Sequence, residues 1–155
     1  MRRDKMVGYE EQIRPVEILL VEDNPADVRL ISETFKDFKS RNVINLVKDG
    51  AEAMDFLRKR GAYAGMPMPD IIILDLNLPK KTGFEILEEI KKDPGLKQIP
   101  VVVLSTSGSD NDIAKAYQLQ AACYVTKPVG LDDFIKTVKN IENFWLNTVK
   151  LPYGK

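Results

Sequence analysis

Residues 71–90 read IIILDLNLPKKTGFEILEEI. Four apolar residues, Ile71 to Leu74, run without a polar break and meet Asp75. Isoleucine is β-branched, and a short apolar run of this kind suits a strand covered on both faces. Pro79 and Gly83 mark a turn after it. Phe84, Leu87 and Ile90 then recur at steps of three, as on a helix with one buried face. The stretch is one β/α unit, with a strand over Ile71–Asp75 and a helix that stops near Pro94 and Gly95.

The same alternation extends in both directions. Upstream, VEILLV at Val16–Val21 predicts a first strand. Pro25 suits a first helical turn and Asn24 its cap. Val28, Ile31, Phe35 and Phe38 carry that helix to about residue 38. Val43–Val47 predicts a second strand, and Gly50 to Arg60 a second helix with Ala53, Met54 and Leu57 on one side. A loop, GAYAGMPMP, covers 61–69. Downstream, Pro100–Ser105 (PVVVLS) predicts the fourth strand and Asp110–Gln120 the fourth helix. Cys123–Thr126 predicts a short fifth strand, and Gly130 to about Thr148 a long last helix. Alternating strands and helices imply a parallel sheet. The expected fold is α/β: a doubly wound, five-stranded parallel sheet with helices on both faces. The expected organisation is a flexible N-terminal arm over 1–14, one domain over 15–148 and a tail over 149–155.

The bulk properties agree with one globular domain. Of 155 residues, 44% are hydrophobic and 30% charged, enough apolar side chain for a core. Lys+Arg and Asp+Glu both number 23, so no basic field favours nucleic acid. The chain has no histidine, which excludes a His-based hydrolase, a His-ligated metal enzyme and a phosphohistidine kinase. The single cysteine, Cys123, can form no internal disulfide and suits a place in the sheet. The first residues have charge but no apolar run behind them, and no stretch is long enough to span a membrane. A cytoplasmic, soluble protein is expected.

In doubly wound folds, ligands bind outside the carboxyl ends of the strands. Strand 1 ends in Glu22-Asp23, strand 3 in Asp75, strand 4 in Ser105-Thr106 and strand 5 in Lys127-Pro128. Singly, each has an ordinary reading: a cap, a turn former, a solvated lysine. Jointly they do not, because three converging carboxylates repel one another unless compensated. A hard divalent cation such as Mg²⁺ compensates them through oxygen ligands. A lysine and hydroxyls opposite suit a phosphoryl anion. Together these are the parts of a phosphoryl-transfer site, with an aspartate as nucleophile.

The segments VEILLVEDNPADVRLI, IIILDLNLPKKTGFEIL, PVVVLSTS and CYVTKPV, in that order, resemble the receiver domain of two-component response regulators, over about residues 16–148. The resemblance implies the flavodoxin-like receiver fold. It implies that Asp75 is the phosphoacceptor, and that Glu22, Asp23, Asp75 and the Asn77 backbone carbonyl serve Mg²⁺. It implies that Ser105, the Thr106 N–H and Lys127 meet the phosphoryl oxygens, and that Ser105 and Tyr124 form the switch. Ser107 and Asn77 match positions that tune dephosphorylation. Pro128 matches a proline that follows a cis peptide. Two positions depart from the pattern: Gln120 stands where glycine commonly ends the fourth helix, and Thr82 where Asp is common.

The 61–69 loop and the short chain resemble single-domain regulators, some of which pair with phytochrome-type histidine kinases. The implied partners are a sensor histidine kinase as phosphodonor and a downstream protein. A homodimer through the fourth helix, fifth strand and last helix is a further expectation, and neither nucleic acid nor membrane is a partner. On that last helix Phe134, Val138, Ile141 and Trp145 form a core stripe, while Phe144 and Leu146 fall outside it. The domain is not an enzyme on other substrates, since it would catalyse only its own phosphorylation and dephosphorylation. The main alternative is a degenerate interaction module that works without phosphorylation. A flavodoxin-like cofactor carrier would need a phosphate loop where EDNPAD stands. An Asp-dependent phosphatase would need an acid at position 77 and a cap.

Overall fold

Val16–Val21 forms the first strand, β1, and its neighbours in the sheet follow from what its two faces bury. The computed structural model describes residues 14–36 and 41–152. In chain order the elements are β1 (Val16–Val21), α1 (Pro25–Lys36), β2 (Asn42–Val47), α2 (Gly50–Leu57), a 3₁₀ turn (Gly61–Tyr63), β3 (Ile71–Leu74), α3 (Gly83–Lys92), β4 (Val101–Ser105), α4 (Asp110–Gln118), β5 (Cys123–Thr126) and α5 (Leu131–Glu142), then a π-helical segment (Asn143–Thr148). All strand pairs are parallel and the sheet order is β2-β1-β3-β4-β5. The expected doubly wound, flavodoxin-like sheet is the fold observed. Of the proposed arm, residues 1–13 lie outside the described residues, as do Phe38 and the last three residues of the tail.

The side chains of each central strand divide between two cores, as the two-residue period of a strand requires. Leu19, Val21, Ile72, Leu74, Val101 and Val103 face α2, α3 and α4, with Met54, Leu57, Leu87 and Ile90 packed on them. Ile18, Leu20, Ile71, Ile73, Val102 and Leu104 face α1 and α5, against Ile31, Phe35, Phe134, Val138 and Ile141. Because both faces are covered, β1, β3 and β4 read as unbroken apolar runs. Their C-terminal ends stay at one edge of the sheet, and the site is built there.

Several boundaries differ from the sequence expectation. Helix α2 stops at Leu57 rather than Arg60, because Lys59 takes a left-handed φ of 56° that no helix continues through. Helix α4 stops at Gln118, and Gln120 takes φ 71°, the conformation that glycine usually supplies there. Beyond Glu142 the last helix widens into the π-helical segment, closed by Val149 N–H donating to the Phe144 carbonyl at 3.0 Å. Phe134, Val138 and Ile141 are buried as the stripe requires. Trp145 and Leu146 are half-buried against the same core, whereas Phe144 is exposed. Thr82, the departure from the usual Asp, caps α3 with a reciprocal box: its side chain accepts from Glu85 N–H, and Glu85 accepts from Thr82 N–H. Cys123 is half-buried on the α1/α5 side, where burial pushes its thiol pKa up and keeps it protonated. The peptide between Lys127 and Pro128 is trans, which corrects the cis bond implied by the resemblance. Trans is the lower-energy isomer of an Xaa–Pro bond by about 0.5–1 kcal/mol.

Candidate functional site

Each predicted side chain reaches the rim because a strand ends beneath it. Asp75 follows β3 directly, and its N–H donates to the Val21 carbonyl of β1 at 3.0 Å. Glu22 follows β1, with its N–H on the Val47 carbonyl at 3.1 Å. The Lys127 N–H donates to the Ser105 carbonyl at 2.7 Å, continuing the β4–β5 pairing. The sheet register therefore sets the height of all three. Gly83 lets the start of α3 lie against this loop: a Cβ there would stand 2.4 Å from the Asp75 carbonyl oxygen and 2.6 Å from Leu76 Cα.

Glu22, Asp23 and Asp75 converge. Each offers a carboxylate oxygen, and the three oxygens lie within 4.8 Å of one another. Glu22 and Asp75 are buried and Asp23 is exposed. The Lys127 ammonium reaches the same cluster. Nζ donates to Glu22 Oε1 at 2.5 Å and to Asp27 Oδ2 at 2.9 Å, and stands 3.8 Å from Asp75 Oδ2. Three carboxylates, Glu22, Asp27 and Asp75, thus surround one buried cation. Burial, opposed by Lys127 and reinforced by Asp75, pushes the Glu22 pKa up to about 7. Burial also raises the Asp75 pKa, against the opposing pull of Lys127, a hydrogen bond with Glu22 and the Asn77 and Leu76 backbone N–H groups. Burial alone would lower the Lys127 pKa, but its bonds to Glu22 and Asp27 outweigh that and raise it.

This donor set fits a hard divalent cation. It offers only oxygen ligands, it carries excess negative charge, and its exposed member, Asp23, leaves the cluster open to solvent. A cleft of about 180 Å³ beside the acids is lined by Glu22, Asp23, Pro25, Val28 and Lys48, among others.

The remaining predicted residues border the same rim. Ser105 is fully buried, and its Oγ accepts from the Ser107 N–H at 3.2 Å. Thr106 and Asn77 are exposed next to Ser105 and two residues past Asp75. Tyr124 is half-buried, and its hydroxyl donates to the Ser107 carbonyl at 2.8 Å. The Ser107 hydroxyl donates to Asp112 Oδ2 on α4 at 2.6 Å. Ser107 therefore ties β4, α4 and β5 together.

Asp27 is absent from the sequence-derived set. It lies one helical turn after Asp23, in the first turn of α1, where Asn24 Oδ1 accepts from its N–H and from that of Ala26. The i, i+4 spacing was the available signal. The missing fact was that Lys127, a hundred residues on, reaches that turn.

The comparisons with known proteins agree with this geometry. The response regulator receiver domain family matches residues 18–139. The chain is 49% identical over 143 residues to response regulator Rcp1 of Synechocystis sp., covering 92% of this chain and 97% of that protein. The crystal structure of the Mn²⁺-bound form of Rcp1 superposes with a TM-score of 0.88 at 50% identity, covering 90% of this chain and all of that one. The phosphorylated cyanobacterial phytochrome response regulator RcpA gives 0.88 at 51% identity, again over 90% of this chain and all of the other. With fold, rim and relatives in agreement, the chain belongs to the response regulator receiver domain family of two-component signalling.

Proposed function

We propose that this receiver accepts a phosphoryl group from a sensor histidine kinase onto Asp75, and that the modification changes its α4–β5–α5 surface to signal to a downstream protein. The observation that carries the reading is the meeting of Asp75 with Glu22 and Asp23, and with the Lys127 ammonium 3.8 Å away. A nucleophile, a cation site and a point charge for the phosphoryl oxygens stand together, as an in-line transfer needs. Rcp1 has been crystallised with Mn²⁺ and RcpA in phosphorylated form, which supports the same chemistry here.

Glu22, Asp23, Asp75 and the Asn77 carbonyl would hold Mg²⁺, which supplies charge neutralisation for the transferred group. The chain's own residues do the rest. An Asp75 carboxylate oxygen bonds to phosphorus as the bond from phosphorus to the donor histidine nitrogen breaks, and the electron pair leaves with that nitrogen. Lys127 Nζ, the Ser105 hydroxyl and the Thr106 N–H bind the phosphoryl oxygens. The domain's chemistry is limited to its own phosphorylation and dephosphorylation. Ser105 turns toward the new anion and Tyr124 moves into the space it leaves, which requires the Tyr124 bond to Ser107 to break. A downstream protein, or a second copy of the chain, docks on the α4–β5–α5 surface, where α4 exposes Tyr117. The phytochrome-related relatives make a phytochrome-type kinase in the cytoplasm the proposed donor.

Asp75→Asn tests the assignment. Radiolabel from a phosphorylated histidine kinase is expected to transfer to the wild-type chain as an acid-labile adduct and not to the variant. Equal incorporation in the variant would remove Asp75 from the role.

A further inference from the structure

The Lys127 ammonium does not rest on Asp75. It bonds to Glu22 and Asp27, and the 3.8 Å to Asp75 Oδ2 exceeds hydrogen-bond length. Lys127 is 7% exposed, so its donors have little water to turn to. Asp27 lies outside the trio of carboxylates that meet within 4.8 Å. Among the described residues, its carboxylate bonds only to Lys127. Asp27 is held in place by the Asn24 cap and by the first turn of α1. It is thus a fixed anion on the α1 side of the lysine, placed to draw the ammonium away from Asp75.

We propose that Asp27 is a positioning residue: it tethers the Lys127 ammonium toward α1, so that the Asp75 oxygens stay open to the cation and to the incoming phosphoryl group. The inference rests on the reading of Asp75 as phosphoacceptor. Without the Asp27 charge, the buried ammonium loses one of its two charged acceptors, and a charge-assisted bond is about twice as strong as one to a neutral amide oxygen. The nearest replacement is Asp75 Oδ2. A lysine bound there occupies the oxygen that serves as nucleophile or ligand, and it competes with the cation for the same charge. Asp27 thus keeps the lysine close enough to meet the phosphoryl oxygens and too far to block the carboxylate.

Two measurements test this. The first is a crystal structure of the metal-free Asp27→Asn protein, in which Lys127 Nζ is expected within hydrogen-bond distance of Asp75. The second is Mg²⁺ titration of wild type, Asp27→Asn, Lys127→Met and the double variant, with Lys127→Gln in place of Lys127→Met if the latter does not fold. Asp27→Asn is expected to weaken Mg²⁺ binding about tenfold with the lysine present, and by clearly less with it removed, because a double-mutant cycle isolates what passes through the pair. A through-space loss of one negative charge, or a local defect in α1, would weaken binding at least as much without Lys127. The proposal is overturned by an ammonium that keeps its distance from Asp75 in Asp27→Asn, or by a Mg²⁺ penalty no greater with Lys127 than without it. Failure of the wild type to bind Mg²⁺ would instead count against the phosphoacceptor reading, and the metal-free structure would still decide the role of Asp27.

Discussion

Glu22 is 1% exposed and its pKa is pushed up to about 7, chiefly by burial. A carboxyl raised in the fold binds its proton more tightly folded than unfolded. Its contribution to stability is therefore complete below the unfolded value of 4.5 and is lost as pH rises toward 7. Asp75, also raised by burial, acts in the same direction. Without a divalent cation, stability in urea is expected to fall between pH 5 and pH 7.5, by about 2–3 kcal/mol through Glu22 alone. Saturating Mg²⁺ should reverse that slope, since it binds the deprotonated acids. Equal stability at both pH values without metal would show that Glu22 titrates as an ordinary glutamate. The acids themselves were legible in the sequence, because strand ends in this fold class share one rim. The pKa of Glu22 was not, since it depends on burial and on Lys127, which only the folded chain brings near.

The apolar runs of β1, β3 and β4 and the periodicity of the helices could be read directly, because covered strands and one-faced helices each leave a period in the sequence. Helix ends could not be read in the same way. Lys59 and Gln120 are not glycine, yet both take positive φ, so tertiary packing imposes what local preference would not choose. Gln120→Gly removes that strain while adding freedom to the unfolded chain, and should stabilise the domain by about 0.5–1 kcal/mol in chemical denaturation. A loss of stability would show that the Gln120 side chain makes a compensating contact. Gly83 works in the opposite sense, since its lack of a Cβ lets α3 abut the Asp75 loop. Gly83→Ala forces backbone apart at 2.4 Å, and should cost about 1–3 kcal/mol. It should also weaken Mg²⁺ binding, because the displaced loop carries Asp75. A variant with wild-type melting temperature and Mg²⁺ affinity would show that the loop yields freely.

At the scale of the molecule, one sheet edge gathers residues from four strands spread over more than a hundred positions. The strand order β2-β1-β3-β4-β5 puts β1 beside β3, so Glu22 and Asp23 meet Asp75. It leaves Lys127, at the end of β5, to reach past β4 and β3 to Glu22. The order of elements was legible as alternation, and the resemblance to receivers supplied the roles. Asp27 escaped both because its meaning is a long-range contact. Ser107 joins β4, α4 and β5 through three hydrogen bonds, so the proposed movement of Ser105 would be felt at α4 and β5. The proposed phosphorylation and the switch both depend on Asp75 as the acceptor. Borohydride reduction of the chain after phosphorylation in the presence of Mg²⁺, followed by peptide mapping, tests it most directly. Reduction of the aspartyl phosphate is expected at position 75 alone, and only when Mg²⁺ was present. A modified residue elsewhere, or none in a chain that carries phosphate, would contradict the account.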